Sequence, residues 1–283
     1  MNIAIIGAGT IGSAIAQIAA RSGHAVALYD ISQQVLQRAI IQITKALELN
    51  VQKGEISYEQ AARTRALIGT TVVLEHAGEA DFILEAAPED LDTKKGIFER
   101  LDKAAPRTTT LASTTNSLSI SVIASAAKQF PDRVVGLHFF NPPAQVRLVE
   151  VIRGDQTSPT AIDKASQFAQ SLGKETVTIK DMPGFLVNRV GDAFTGEALR
   201  MVGEGNLDAE TVDRLMESLD FKTPPFRHLD NVGLDTALNF KEWLYDATYQ
   251  EPRFRPSHIL RHLVQANRLG RKTKQGFYKY TDE

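Results

Sequence analysis

The first thirty residues, MNIAIIGAGTIGSAIAQIAARSGHAVALYD, constrain the fold more than any other part of the chain. An apolar run, residues 2–6, leads directly into Gly7, Gly9 and Gly12 in the spacing G-x-G-x-x-G, and an amphipathic helical pattern follows. Gly7 permits a tight turn, Gly9 lets the backbone approach a pyrophosphate, and Gly12 lets the helix pack closely on the strand. The helix N-terminus then offers N–H groups and a positive dipole end to the anion. Gly7, Gly9, Thr10, Ile11 and Gly12 are the expected cofactor-binding residues of this loop. Asp30 stands at the end of the next strand, where an acidic residue binds a ribose 2′-hydroxyl. A carboxylate there repels a 2′-phosphate, so NAD is expected rather than NADP. FAD is a lesser competitor, because the chain is short for flavin enzymes with this fingerprint.

Short Val-, Ile- and Ala-rich runs keep alternating with helical patterns, the mark of a parallel sheet covered by helices. Strands are predicted at 2–6, 25–29, 70–74, 81–85, 109–112, 133–138, 147–152 and 176–180. Two helical patterns joined by the polar turn QKGEIS form an insertion at roughly 32–67. After Asp181-Met182-Pro183-Gly184 no strand-like run of any length follows, and helical periodicity takes over. Helices are predicted over 185–202, from an Asp208 cap to Leu219, and over 232–248. The expected class is α/β: a Rossmann-like, doubly wound, mostly parallel sheet over 1–183, then an all-helical C-terminal domain over 184–283. A helical domain of about a hundred residues is small for its own core, so it is expected to pack on its neighbour or on a second copy.

Charge and composition exclude several classes. A net charge of −2 with scattered Lys and Arg leaves no footprint for nucleic acid or an anionic membrane. With no cysteine, thiolate nucleophiles, disulfides and cysteine-ligated zinc are ruled out, and no metal centre is expected. The chain opens as a strand without a basic leader, and no run reaches the length of a membrane span. The expected location is cytoplasmic and the expected partner a small molecule.

The stretch RVVGLHFFNPPAQVRLVEVI, residues 133–152, holds the strongest candidates for chemistry. His138 ends a strand, on the edge where open α/β sheets place ligands, although a lone strand-end histidine is more often a packed core residue. Glu150 sits within LVEVI, where an ionised carboxylate is costly to bury without a partner. A strand, a turn and a returning strand could bring the two together.

Several long motifs, in one order and spanning nearly the whole chain, resemble the L-3-hydroxyacyl-CoA dehydrogenase family. They are IGAGTIGSAIA, LEAAPEDLDTKKGIFERLD, LASTTNSLSI, RVVGLHFFNPP, RLVEVIRG, DMPGFLVNR and GRKTKQGFYKY. The resemblance is nearest to the short-chain 3-hydroxybutyryl-CoA dehydrogenases of bacteria. It implies an N-terminal NAD domain, a helical domain that forms a homodimer, and an active site in the cleft between them. It makes His138 the general base, a role that suits an imidazole because its ordinary pKa lies near neutrality. Glu150 becomes the carboxylate that orients the ring. Ser117 and Asn188 become neutral donors to the substrate 3-oxygen. Asn141 is placed near the nicotinamide, and Glu89 and Lys94 are a cofactor-contacting pair. Lys53, in the QKGE turn, is a candidate contact for the CoA moiety of an acyl-CoA substrate.

The chain departs from the family pattern in places. Ser113-Thr114-Thr115-Asn116-Ser117 stands where S-N-T-S-S is usual, so a carboxamide has moved by two positions. Thr223-Pro224-Pro225-Phe226 replaces a Gly-Pro, which predicts a different loop path. Lys274 replaces a glycine, at a cost of about 1 kcal/mol if the turn is left-handed. The leading reading is NAD-linked oxidation of a short-chain L-3-hydroxyacyl-CoA. The alternatives are a dehydrogenase of a non-CoA 3-hydroxy acid, such as a sugar acid or carnitine, and a non-catalytic NAD-binding protein.

Overall fold

One sheet collects the apolar runs that precede residue 181. Its strands are β1 (Asn2–Ile6), β2 (Ala25–Tyr29), β3 (Ile68–Thr71), β4 (Phe82–Glu85), β5 (Thr110–Ser113), β6 (Val134–Phe139), β7 (Leu148–Arg153) and β8 (Glu175–Lys180), in the order β3-β2-β1-β4-β5-β6-β7-β8. They belong to a computed structural model that describes residues 1–205 and 207–281. Neighbours from β3 across to β6 are parallel, β7 is antiparallel to β6, and β8 is parallel to β7. β4, β5 and β6 are buried along their whole length, as strands covered on both faces must be. The chain divides into two compact units, Met1–Met182 and Pro183–Glu283.

Helices α1 (Thr10–Arg21), α2 (Gln33–Gln52), α3 (Tyr58–Ala66), α4 (Leu91–Ala104), α5 (Ile120–Ala124) and α6 (Pro159–Ser171) complete the first unit. Strand order reverses between β1 and β4, which sets a crevice at the carboxyl edge of the sheet. The insertion folds as the helices α2 and α3, each started by a serine cap. Ser32 accepts from the Val35 amide, and Ser57 and Gln60 form a reciprocal capping box. The strand expected at 70–74 instead ends at Thr71. Thr71 Oγ1 accepts the Val73 amide at 3.1 Å, a local bond that competes with the strand ladder. Val72 and Val73 are left exposed, and Leu74–Glu79 winds into a 3-10 helix with Leu74 buried.

The second unit contains α7 (Val187–Gly203), α8 (Ala209–Ser218), α9 (Pro225–Val232), α10 (Leu234–Ala247) and α11 (His258–Gln265). Leu199, Phe226, Leu234 and Leu260 lie at the centre of its own apolar core. Asp208 caps α8 through the Thr211 amide at 2.7 Å. The helix expected over 232–248 is α10, which begins two residues later, at Leu234, because α9 runs to Val232 and Gly233 turns at φ +98° between the two. The Pro224-Pro225 departure starts α9, with Pro224 as N-cap and Pro225 in the first turn, where a missing N–H costs nothing. The next two amides, Phe226 and Arg227, donate to the buried carboxylate of Asp213 on α8 at 2.9 Å each. Asp230 accepts in the same way from the Phe277 and Tyr278 amides and the Tyr280 hydroxyl, tying the tail to α9. Lys274 is left-handed at φ +57°, so the glycine it replaces would relieve backbone strain there.

A buried ion pair joins two of these helices. Lys241 Nζ on α10 lies 2.6 Å from Asp192 Oδ1 on α7, both side chains 3% exposed. Burial pushes the Asp192 carboxyl above its ordinary range, against the pull of the ammonium. Its Oδ2 has no hydrogen-bond partner among the described residues.

Candidate active site

β6 and β7 meet as a direct antiparallel pair in which His138 stands opposite Glu150. Their side chains share a face of the sheet, and His138 Nδ1 lies 2.6 Å from Glu150 Oε2. Glu150 is fully buried and His138 is 3% exposed. An ionised carboxylate only accepts, so Nδ1 carries the proton and Nε2 is the basic nitrogen of the neutral ring. Phe140 packs beside the imidazole with ring centroids 4.6 Å apart. The turn between the two strands is clamped by Lys174, just before β8. Its ammonium donates to the carbonyls of Pro143 at 2.5 Å and Val146 at 2.8 Å. Burial holds that ammonium below the usual lysine range. Asn141 is exposed in this turn.

The glycine loop has the shape of an anion cradle. Gly7 takes φ +110°, and a Cβ there would lie 2.5 Å from the Ala86 carbonyl oxygen. A Cβ on Gly12 would lie 1.9 Å from the Gly7 carbonyl oxygen, so α1 seats against the turn only because position 12 is glycine. Gly9 is the N-cap of α1 and supplies no side-chain cap, and a Cβ there would project into open space. The first turn of α1, where Thr10 and Ile11 lie, holds no acidic residue. Free N–H groups and open space therefore face the place a pyrophosphate takes, and the residues present fit a dinucleotide.

Asp30 is tied into this loop from the end of β2. Its Oδ2 accepts the Ala8 amide at 3.0 Å and its Oδ1 the Ser32 amide at 3.0 Å. The carboxylate is thus held in place beside the cradle. Asp30→Ala should weaken discrimination between NAD and NADP, read as the ratio of kcat/KM values for the two cofactors. An unchanged ratio would show that the ribose is read elsewhere.

Glu89 gathers the loop after β5. Its Oε1 accepts from Thr115 Oγ1 at 2.6 Å, the Asn116 amide at 2.9 Å, and the amide and hydroxyl of Ser117 at 3.0 Å each. The sequence suggested that Ser117 is a donor to substrate; in the structure its hydroxyl donates to Glu89. Lys94, expected beside the cofactor, is 1% exposed and turned inward. Its ammonium lies 2.7 Å from Glu85 Oε1, 3.6 Å from Glu89 Oε2 and 3.2 Å from the Ala87 carbonyl. Glu85, at the end of β4, also accepts from the Ala87 amide and from Ser113 Oγ, both at 2.6 Å. Burial pushes its carboxyl above the ordinary range, opposed by Lys94.

Sequence reasoning passed over Glu85, Ser113 and Lys174. Glu85 carried a usable signal, a carboxylate ending the apolar run FILE, as costly to bury alone as Glu150 in LVEVI. Lys174 carried none, since a lysine after a helix reads as a solvated turn. Asn188 lies in the first turn of α7 in the second unit. Lys53 is exposed at the C-cap of α2.

The family model for the 3-hydroxyacyl-CoA dehydrogenase NAD binding domain matches residues 2–182, and the model for the C-terminal domain of the same family matches 184–280. The 3-hydroxybutyryl-CoA dehydrogenase of Clostridioides difficile is 36% identical over 281 residues, covering 99% of each chain. The 3-hydroxyadipyl-CoA dehydrogenase of Escherichia coli is 39% identical over 285 residues, and the chain spans 59% of that protein's length. The crystal structure of (S)-3-hydroxybutyryl-CoA dehydrogenase from Ralstonia eutropha superposes with a TM-score of 0.94 at 35% identity, covering 99% of each chain.

Proposed function

Because this chain belongs to the 3-hydroxyacyl-CoA dehydrogenase family, we propose that it catalyses the reversible oxidation of a short-chain L-3-hydroxyacyl-CoA to the 3-ketoacyl-CoA, with His138 as general base. The observation that carries the reading is the His138–Glu150 pair, buried and in cross-strand register at 2.6 Å. The cofactor is NAD. When bound, its nicotinamide supplies the acceptor for the hydride that leaves carbon 3.

The residues of the chain manage the proton and the oxygen. His138 Nε2 takes the proton of the 3-hydroxyl as the carbon–hydrogen bond breaks, and returns it in the reductive direction. Glu150 holds Nδ1–H, fixing the ring, and its bond becomes charge-assisted once the ring is an imidazolium. Ser117 and Asn188 are the neutral groups at the substrate oxygen, and the support for Asn188 is the family motif PGFLVNR. The glycine loop and Asp30 would hold the adenosine half of the cofactor and Asn141 would lie near its nicotinamide; of the cofactor-contacting pair, Glu89 would make the contact, with the inward-turned Lys94 behind it. Lys53 is carried as the CoA contact.

Exposed apolar side chains on the second unit, among them Val190, Leu215, Leu219 and Phe221, support a homodimer formed through this unit. A monomer in light scattering would remove that part of the reading. Among the described residues no helix is long and apolar enough to cross a membrane, and the location proposed is cytoplasmic. The deciding experiment follows the consumption or formation of NADH across acetoacetyl-CoA, longer 3-ketoacyl-CoAs, carnitine and sugar acids. Turnover with short thioesters is expected. Turnover confined to carnitine or sugar acids would replace the proposal with a non-CoA 3-hydroxy acid, and turnover with none would favour a non-catalytic NAD-binding protein.

A further inference from the structure

Behind Ser117 lies a chain of charged groups that runs from the end of β4 to the loop after β5. We infer that Glu85 is a positioning residue for the reaction: through Lys94 it fixes Glu89, and through Glu89 it fixes the hydroxyl of Ser117. The inference rests on the reading that Ser117 meets the substrate 3-oxygen.

The geometry is continuous. Glu85 is held by three donors, the Lys94 ammonium, the Ala87 amide and Ser113 Oγ, at 2.6–2.7 Å. It therefore ties the carboxyl ends of β4 and β5 to α4. The Lys94 ammonium is shared between two carboxylates, close to Glu85 at 2.7 Å and farther from Glu89 at 3.6 Å. Glu89 in turn spends one oxygen on the four donors of residues 115–117. A neutral side chain at position 85 would release the ammonium toward Glu89, where it would compete with those donors and loosen the hydroxyl.

The energetics point the same way. An ion pair with 0% and 1% exposed side chains is a poor source of stability, because desolvation offsets most of its attraction. Its place at the ligand edge gives it a use that stability does not. A fixed hydroxyl is worth more to the reaction than a mobile one, since a 1 Å misplacement can cost about a hundredfold in rate.

The test is a double-substitution cycle in the full chain with NAD. Glu85→Gln keeps the size of the side chain and should lower kcat about tenfold, within the range a misplaced group can cost. In the Ser117→Ala protein the same substitution should change kcat by less than about twofold, because the group it positions is gone. An equal fall in both backgrounds would mean a merely structural role and overturn the inference, as would no fall in the native background. If Ser117→Ala alone leaves kcat and KM at native values, the reading of Ser117 fails, and this inference fails with it. Ser113→Ala removes only one donor from Glu85 and serves if Glu85→Gln does not fold. It should give a smaller fall with the same dependence on Ser117, and an effect independent of Ser117 would again overturn the inference.

Discussion

Replacing His138 by alanine should lower kcat by about 10²- to 10⁴-fold, the range that a positioned acid–base group supplies, while NAD still binds. The proton of the 3-hydroxyl has to leave with the hydride, and without the imidazole water must take it. NAD binding should persist because the glycine loop and Asp30 form their own hydrogen-bonded assembly. Glu150→Gln separates orientation from charge. The amide oxygen can still accept from Nδ1–H, so the ring stays in place, but the imidazolium loses a charge-assisted bond worth about 1.5–3 kcal/mol. A fall of roughly 10- to 100-fold in kcat follows from that energy. Native turnover in the His138→Ala protein, measured by stopped-flow with an acetoacetyl-CoA substrate, would remove the histidine from the chemistry.

The second large effect is on folding. Asp192→Ala strands the Lys241 ammonium, 3% exposed, without its counter-charge, and should cost about 3–5 kcal/mol in urea unfolding. Replacing both members by apolar residues of similar size, as in Asp192→Val with Lys241→Met, should leave the protein as stable as before or up to about 4 kcal/mol more stable. The prediction is asymmetric because desolvating two charges costs about what their attraction returns. The unpaired Oδ2 of Asp192 tilts the balance further toward the apolar pair. A double variant less stable than the native protein would show that the pair is a net source of stability.

The architecture was legible because its determinants are local. Glycine spacing, strand runs and helix caps act within a few residues, and β1, α1, β2 and the cap at Asp208 fall where they predict. The errors came where one side chain overrides a propensity. Thr71 stops a run of β-branched residues by binding the chain two residues on, and Gly233 holds the start of the helix expected from 232 back to Leu234. The Pro-Pro segment reads as a loop because its cap, Asp213, lies on another helix. The site follows the same division. His138 and Glu150 could be paired in advance since a strand, turn and strand imply a register, whereas the Glu85–Lys94–Glu89 chain depends on which strand ends become neighbours.

The reversal of β7 against β6 has a consequence for how such a protein can diversify. His138 and Glu150 are indexed to each other by the backbone ladder itself, four residues of each strand in continuous antiparallel pairing, and not by the turn that joins them. Residues 142–147 can therefore be lengthened, shortened or exchanged without altering the pair or the Phe140 ring beside it, so long as the strands keep their alignment and Lys174 or a substitute holds the new turn. A slip of one residue, by contrast, would send Glu150 to the opposite face of the sheet. The chemistry is inherited with the ladder, and the turn is the part of this site that is open to grafting.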